Sequence, residues 1–362
     1  MIVIYFRKIL LAFLLLSVGV ELQAVQTKQS VHALYIPLAD HYAALVAYER
    51  YRSEMKYADF KITQMKSWNL LRAYFNSGTV DMAYVMSPLA MDMFYENPHF
   101  RWIGLIHRDG NALAINEIIN AKVNLPALRK ERKPDGKVAE ALSELSKENK
   151  KPTQIAMPHL LSTHSVILYR YLKEHGVSIT FNNYENADVI GIGIAPPKAP
   201  AFIKKNNARA TPAAFEQSLP WADVVETQGY GKIAWYSKDV MPHEHGHVEC
   251  IVIATDDAIK SKKKAINEVN YYIHKAGDDI EKARLEGGES LEKIVKIVRK
   301  HIPLHTKEAI IASLDLELNV INYKYLNIDK EGLKQIMDYA LEGGIIKHKI
   351  DISAFADESF EQ

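Results

Sequence analysis

Cysteine is almost missing from this chain of 362 residues, and charge of one sign is missing as well. Cys250 is the one cysteine, so an internal disulfide is excluded and apolar cores must hold the fold, which a chain long enough for two domains can build. Forty-five Lys and Arg stand against 44 Asp and Glu. This balance indicates neither a nucleic-acid partner nor a broad membrane-surface partner.

Several catalytic motifs are also missing. The sequence has no Gly-rich phosphate loop, no nucleophile elbow and no Cys–His pair, which are the patterns that would indicate nucleotide chemistry or a covalent mechanism. We therefore predict that the chain is not an enzyme and that it carries no cofactor.

Only one apolar run resembles a targeting or membrane segment. Arg7 and Lys8 precede an apolar stretch at residues 9–20, and Ala24 follows as a small residue. This pattern predicts a secretory signal peptide, residues 1–24, with cleavage after Ala24 and a periplasmic mature chain. The run is short for a membrane span, although an uncleaved N-terminal anchor stays open as the alternative.

A strand followed by a helix start recurs in the two halves of the chain. The apolar run 82–86 follows Asp81 and ends where Ser87 opens a helix; the run 189–194 follows Asp188 and ends at two prolines. Elsewhere, too, strands alternate with helices. We therefore predict an α/β fold in which each half is a mostly parallel sheet flanked by helices.

These residues resemble a known family, the periplasmic substrate-binding proteins of ABC importers, in the nitrate/sulfonate/bicarbonate and thiamine-precursor-like class. The resemblance covers most of the chain beyond the signal. It rests on Ser67-Trp68 opening a helix, on Gly78 through Pro88, on the segment from Thr163-His164 to His175-Gly176, and on Gly229-Tyr230-Gly231.

The resemblance implies a two-lobed, type II-like periplasmic binding protein fold with the ligand in the cleft between the lobes. The first lobe is expected at residues 25–117, with 255–362 packing back on it, and the second lobe at 118–254. The charged stretch 118–152 is expected to form an exposed helix and linker. A protein of this kind is a monomer that delivers a small solute to an ABC permease by hinge closure and does no chemistry.

The resemblance also implies that Trp68 and His164 lie at the ligand. Independently of it, ligands of open α/β sheets sit beyond the carboxyl ends of strands, where helix N-termini offer N–H groups. This argument adds four further candidates, which are His41, Gln64, Ser87 and Lys198. Trp68 would not bind ligand if it packs in a core, and Lys198 would have no binding role if it is an ordinary solvent-exposed lysine.

The identity of the solute stays open at this stage. A small oxyanion such as nitrate, bicarbonate or a sulfonate is the first hypothesis, but the chain has Ala195-Pro196-Pro197-Lys198 where many relatives carry an acidic-Pro-Trp stretch. A pyrimidine-type solute is the second hypothesis, and a synthase-like enzyme of the same fold is a third. A periplasmic metal carrier is the fourth, in which His243, His245 and His247 would bind a divalent ion.

Overall fold

Two β-sheets organise the molecule. The computed structural model describes residues 27–181 and 187–362, and the predicted signal peptide lies outside them. The first sheet has the strand order β2-β1-β3-β12-β4. Its strands are β1 Gln29–Tyr35, β2 Ala58–Gln64, β3 Met82–Met86, β4 Phe100–Leu105 and β12 Cys250–Thr255.

The second sheet has the order β11-β6-β10-β7-β9-β8, and β5 pairs separately with β13. The strands of the second sheet are β6 Asn111–Asn116, β7 Thr153–Met157, β8 Ile179–Thr180, β9 Val189–Gly193, β10 Ala213–Ser218 and β11 Gly231–Tyr236. The separate pair is β5 Arg108–Asp109 and β13 Ile321–Asn322.

Helices cover both sheets. They are α1 Tyr42–Tyr51, α2 Trp68–Asn76, α3 Ser87–Glu96, α4 Glu117–Val123, α5 Gly136–Asn149, α6 Thr163–Glu174, α7 Ala199–Ala208, α8 Trp221–Thr227, α9 Ser237–Val240, α10 Asp256–Glu286, α11 Gly288–His301, α12 Lys307–Ser313, α13 Lys330–Glu342 and α14 Ile352–Phe355. Short 3-10 turns lie at Ala39–His41, Arg129–Glu131, Pro196–Lys198 and Glu358–Phe360.

The predicted α/β class is confirmed, and both sheets are mixed. β1, β2 and β3 run parallel, as do β7, β8, β9 and β10. β12 is antiparallel to β3 and β4, and β6 is antiparallel to β10 and β11. β6 and β12 follow the two segments in which the chain crosses between the sheets, so each enters its sheet from the edge where the parallel strands end.

The crossing points differ from the predicted lobe boundaries. Asn111–Asn116, placed before the boundary at 117, pairs within the second sheet. Cys250–Thr255, placed almost wholly in the second lobe by the boundary at 254, pairs within the first. The chain therefore changes sheet at residues 106–110 and again at 237–249, and we propose these segments as the hinge.

The charged stretch 118–152 also differs from its prediction as an exposed helix and linker. α5 packs against β7 and β9, and Val138, Leu142 and Leu145 on its inner side are buried. Their spacing of four and three residues places them on one helix face. Charged side chains cover the opposite face, which explains why the composition alone suggested an exposed segment.

The C-terminal part joins the two halves. α10 packs on α1, β1 and β2, as expected for a segment that returns to the first lobe. α12 contacts α8 of the second half, and α13 contacts both α3 and α6. Within residues 27–181 and 187–362, no helix combines the length and apolarity that crossing a membrane requires.

Candidate functional site

The carboxyl ends of strands from both sheets meet at one buried edge. From the first sheet, Asp40 follows β1 and His107 follows β4; from the second, His164 follows β7 and Ser218 ends β10. All four residues have no exposed surface. This is the location at which open α/β sheets bind ligands.

The antiparallel strands add residues to the same edge. β12 begins at Cys250, directly after Glu249, and β6 begins at Asn111. Because these strands run opposite to their neighbours, their first residues lie beside the last residues of the parallel strands. The Ser87 backbone N–H donates to the Glu249 carbonyl at 3.0 Å, which fixes the start of α3 at this edge.

Direct hydrogen bonds hold the two halves together here. The Ser218 hydroxyl donates to Asp40 Oδ2 at 2.8 Å, and the Ala39 N–H donates to the Leu219 carbonyl at 2.7 Å. The Trp221 indole N–H donates to the Pro37 carbonyl at 3.0 Å. The structure therefore shows the lobes in contact over the site.

We call Asp40, His107, His164, Glu216, Ser218, Glu249 and Cys250 the interlobe cluster. Many polar atoms in and around it have no hydrogen-bond partner among the described residues. They are Asp40 Oδ1, His164 Nδ1, both oxygens of Glu216, and side-chain atoms of Ser87 and Gln217. The Glu249 carboxyl is approached by the Thr163 and Asn111 side chains, and the His107 ring by the Arg108 backbone, without hydrogen bonds of good geometry. An unpartnered buried polar group costs about 1–3 kcal/mol, so folded chains retain few of them. Their concentration at one place indicates a surface shaped for a polar ligand.

The charges of the interlobe cluster are acidic. Histidine nitrogens lie beside its three carboxyl groups: His107 Nε2 lies 3.6 Å from Asp40 Oδ2, and His164 lies 3.6 Å from Glu249 and 4.0 Å from Glu216. Across residues 27–181 and 187–362, no Lys or Arg nitrogen comes within 4.0 Å of these carboxyls.

Burial shifts the protonation of the interlobe cluster towards the neutral forms. It raises the pKa of Asp40 to about 8 and raises the pKa of Glu216 well above its usual value, with repulsion from Asp40 adding to the effect. The pKa of Glu249 is raised in the same way, and burial lowers the pKa of His164 well below its usual value. A ligand that brings positive charge or N–H donors would favour the ionised carboxylates.

Aromatic side chains form a second part of the site. The His41 ring lies 6.0 Å from Trp68 and 5.6 Å from Tyr84, centroid to centroid. His41 Nδ1 is bound to the Ile36 backbone at 2.9 Å, while its Nε2, the Trp68 indole N–H and the Tyr84 hydroxyl have no partner among the described residues. All three rings are almost completely buried.

Trp68 also lines an opening between the halves. A cavity of about 360 Å³ lies there, bounded by residues 67–69 of the first half and by 158–160, Gly193 and Ala195 of the second. His159 Nε2 lies 3.0 Å from Asn69 Oδ1 across it. Ser67 caps α2 by accepting from the Leu70 N–H, which sets Trp68 at the first position of the helix.

The predicted ligand residues divide into two groups. Trp68, His164, His41 and Ser87 are buried at the interlobe edge. Lys198 is exposed in the turn before α7, and Gln64 is exposed at the end of the edge strand β2, where its Oε1 accepts from the Tyr35 hydroxyl at 3.3 Å. The structure does not bring these last two to the interlobe cluster.

The three predicted metal-binding histidines lie in separate surroundings. His243 Nε2 is 3.7 Å from Asp329, and the partly exposed His245 stacks on Tyr325 at 4.0 Å. His247 is buried, with Nε2 3.0 Å from the Ser237 hydroxyl. In the described part of the chain, three other side chains bring possible metal-ligating atoms close to one another. They are Asp40, His107 and Cys250.

Sequence patterns missed the acidic residues of the site. Glu216 and Ser218 lie in β10, a strand that the sequence analysis did not identify, and Glu249 stands directly before a strand. The sequence signal for β10 is short, an apolar start followed by Glu-Gln-Ser, and only the structure shows that all six of its residues are buried. Polar residues at the carboxyl end of a buried strand are the positions that the strand-end rule selects.

Comparison with known proteins places the chain in a family. Residues 25–289 match the family model described as NMT1-like, so the chain belongs to the NMT1-like family. The predicted likeness to ABC-importer binding proteins is confirmed at the level of the fold and of the matched proteins. Among curated proteins, none matches the sequence.

Three solved structures show the same fold at low sequence identity. The ligand-binding component of an ABC-type import system from Staphylococcus aureus, with zinc bound, is 18% identical with a TM-score of 0.70, covering 92% of this chain and 98% of its own. The periplasmic nitrate-binding protein NrtA from Synechocystis PCC 6803 is 16% identical with a TM-score of 0.73, covering 92% and 87%. The alkanesulfonate-binding protein SsuA from Xanthomonas axonopodis pv. citri, bound to MOPS, is 11% identical with a TM-score of 0.65, covering 91% and 99%.

Proposed function

We propose that this member of the NMT1-like family is the extracytoplasmic solute receptor of an ABC importer, and that its solute donates hydrogen bonds or carries positive charge. The observation that carries the solute class is the acidic interlobe cluster, with three buried carboxyls and no Lys or Arg beside them among the described residues. The two-lobed fold and the matched import proteins support the receptor role.

Hinge closure supplies the mechanism. Ligand-binding side chains come from both halves, so a solute held by Asp40 on one side and by His164 or Glu216 on the other stabilises the closed form by its greater affinity for that form. The closed receptor would then dock on an ABC permease as a monomer. The signal peptide predicted at residues 1–24 is consistent with a periplasmic location.

The acidic cluster makes a small oxyanion the weaker hypothesis. Nitrate, bicarbonate or a sulfonate would meet Asp40, Glu216 and Glu249, and among the described residues no Lys or Arg nitrogen lies within 4.0 Å of these carboxyls. A buried anion would therefore have no cationic partner there. The predicted cation, Lys198, lies exposed outside the interlobe cluster.

An amino-substituted nitrogen heterocycle fits better. Its ring N–H and amino groups would donate to the carboxyls, while its face would pack against Trp68 and Tyr84. Of the sequence-based hypotheses, the pyrimidine-type solute is therefore the one we propose.

A thermal-shift screen tests the solute class. The exported chain, purified without a tag, is screened against aminopyrimidines, nitrate, bicarbonate, alkanesulfonates and divalent metal ions. A ligand that binds only the native state raises the unfolding midpoint, and we expect aminopyrimidines to do so. A shift with an oxyanion alone would contradict the proposed class, a shift with metal ions alone would favour the metal carrier, and conversion of the pyrimidine to a product would favour the enzyme.

The variant Glu216→Gln gives a sharper test. The amide keeps the shape of the side chain but removes an acceptor for a charged or N–H-donating ligand, so we expect affinity to fall by roughly tenfold or more. Without solute, the variant should be at least as stable as the parent, because the substitution removes a buried carboxyl that has no partner and whose burial costs free energy. Glu244→Gln, whose side chain is 85% exposed, is the control and should bind as the parent does.

A further inference from the structure

We infer that Asp40, His107 and Cys250 form a binding site for one divalent transition-metal ion of the zinc class, at the floor of the interlobe cluster. These residues offer one carboxylate oxygen, one imidazole nitrogen and one sulfur, and these atoms lie within 4.8 Å of one another. The inference goes beyond the proposed function, with which it shares only the location.

Two of the three separations between the ligating atoms are close to those around a tetrahedral ion. Asp40 Oδ2 lies 3.6 Å from His107 Nε2 and 3.8 Å from Cys250 Sγ. Bonds of about 2.0–2.1 Å to nitrogen and oxygen and about 2.3 Å to sulfur, at tetrahedral angles, place ligand atoms about 3.3–3.7 Å apart. These two separations lie within a few tenths of an ångström of that range, and the ligating atoms of His107 and Cys250 lie within 4.8 Å of each other.

The orphaned atoms at this position point to a ligand. His107 is completely buried, and apart from an approach to the Arg108 backbone its ring nitrogens form no hydrogen bond of good geometry with the described residues; Asp40 Oδ1 has no partner there either. A buried imidazole that is poorly hydrogen-bonded is costly, and a metal ion is one of the few ligands that accepts an imidazole nitrogen, a thiolate and a carboxylate together.

The backbone holds the site on one lobe. The Ile106 N–H donates to the Cys250 carbonyl at 3.2 Å, which sets His107 beside the first residue of β12. Asp40 follows β1 in the same sheet. All three ligands therefore come from the first sheet or its edge, and the site can bind an ion before the lobes close.

The second lobe contacts the site through Asp40. Ser218, from β10, is the residue of that lobe that contacts Asp40 Oδ2, at 2.8 Å. Three protein ligands with one open position are typical of sites that also hold water or a small molecule.

The donor set selects the class of ion. A thiolate and an imidazole favour Zn²⁺ and Co²⁺ over Mg²⁺ and Ca²⁺, which prefer oxygen ligands. When the metal–sulfur bond forms, the Cys250 thiol loses its proton to solvent. No redox change or further reactant is involved.

Cobalt titration tests the inference, because Co²⁺ bound to a thiolate shows a charge-transfer band in the near ultraviolet. The exported chain is purified without a tag, stripped with a chelator and titrated with Co²⁺ in the absence of solute. We expect one equivalent to saturate both this band and the visible absorption of tetrahedral Co²⁺, and Zn²⁺ to abolish them. Since Cys250 is the one cysteine in the sequence, the band assigns the ligand without ambiguity.

Variants decide between this site and the histidine-rich loop. Cys250→Ser should lose the charge-transfer band, and His107→Ala should lower Co²⁺ affinity by on the order of tenfold or more. His245→Ala, on the exposed ring that stacks on Tyr325, is the control and should keep both. Asp40→Asn is a second variant, and it preserves the shape of the site. Each protein is first checked for a cooperative unfolding transition.

Three outcomes would overturn the inference. In the first, the folded parent binds no Co²⁺. In the second, the parent binds Co²⁺ but shows no thiolate charge-transfer band. In the third, His245→Ala abolishes Co²⁺ binding and Cys250→Ser retains it. The solute screen is run on the same stripped sample. A thiolate–Co²⁺ band with no change of the unfolding midpoint by any solute would contradict the proposed solute class and support the metal site. A change of the midpoint with a solute but no thiolate–Co²⁺ band would contradict the metal site alone.

Discussion

His305 is a histidine whose surroundings allow only its neutral form. Its Nδ1 lies 2.8 Å from the Tyr42 hydroxyl, and its ring meets Trp221 edge-on at 4.8 Å. The side chain has no exposed surface, and burial lowers the pKa of His305 to about 3. The ring thus lies between α1 of the first half and α8 of the second, where a charged imidazole would be desolvated.

This position makes the stability of the fold depend on pH. The unfolded chain protonates this histidine near pH 6.5, while the folded chain does not until about pH 3. Its contribution is therefore fully present above pH 6.5 and is lost as pH falls from 6.5 towards 3. The variant His305→Gln has no histidine here and so lacks this pH-dependent loss. Between pH 7 and pH 5 the free energy of unfolding should therefore decrease more in the parent than in the variant, by about 2 kcal/mol.

Urea unfolding at the two pH values measures this difference. The amide of the variant can still bond to Tyr42, so its stability at pH 7 should lie within about 1 kcal/mol of the parent. His348→Gln, which removes an exposed ring, is the matched control. Identical pH dependence in the parent and His305→Gln would show that His305 is protonated in the folded state without cost.

The location of a candidate residue at a strand end was predictable where a local signal existed. Trp68 follows a helix cap, and His41 and Ser87 open helices after strands, so each stands at a strand end that sequence patterns can identify. Lys198 follows the same pattern but points to solvent, because the side chain's direction depends on packing. Glu216 gave no signal by itself, since its partner His164 is 52 positions away in the sequence.

At the scale of elements, α10 shows how one small residue sets helix packing. The helix runs from Asp256 to Glu286, with non-helical backbone angles at Lys262. Gly277, on its buried side, faces the segment after β13. A Cβ atom added to Gly277 would lie 2.5 Å from the Tyr323 carbonyl oxygen. The absence of a side chain therefore lets the helix approach this backbone closely.

We expect Gly277→Ala to destabilise the chain. Alanine favours a helix by about 1 kcal/mol over glycine, but relieving the contact with Tyr323 would shift backbone and cost about 1–3 kcal/mol or more. The net effect should be a lower free energy of unfolding in urea at pH 7. Lys282→Ala, at an exposed position of the same helix, should change stability little; a stabilised Gly277→Ala would mean that the segment moves away without cost.

Elements with strong local signals were predicted almost to the residue. Ser67-Trp68 was expected to open a helix, and α2 begins at Trp68 with Ser67 as its cap and ends at Asn76, two residues before Gly78. β10 was missed, since it ends in polar residues that are buried only because the two lobes meet over them. Strands whose burial comes from another lobe carry little pattern of their own.

At the scale of the whole molecule, the two-lobed fold could be predicted but the contact between the lobes could not. The fold follows from alternating strands and helices, which are local patterns. The contact depends on pairs such as Asp40 and Ser218, separated by 178 positions, and on α13, which touches α3 and α6. Such pairs follow no periodicity, so the location of the acidic cluster emerges only from the folded chain.

α13 is the element that should control the opening of the lobes. The Arg170 guanidinium of α6 lies over the Tyr339 ring of α13 at 4.9 Å, and Lys173 of α6 pairs with Glu342 of α13. On its other side α13 packs on α3 of the first half. These contacts join the halves away from the interlobe cluster, so under the proposed hinge closure we expect them to favour the closed form whether or not a solute is bound.

Removing the ring should therefore shift the equilibrium towards the open form. A cation–π contact at a partly exposed position is worth about 0.5–1 kcal/mol, so Tyr339→Ala should weaken the affinity for the solute by about two- to fivefold through a smaller closed population. X-ray scattering should show a larger radius of gyration for the solute-free variant and the parental value at saturating solute. Tyr271→Ala, which removes an exposed ring of α10, is the control. If Tyr339→Ala and the parent share one affinity and one scattering profile, α13 does not influence closure, and the hinge segments at 106–110 and 237–249 alone must determine the closed population.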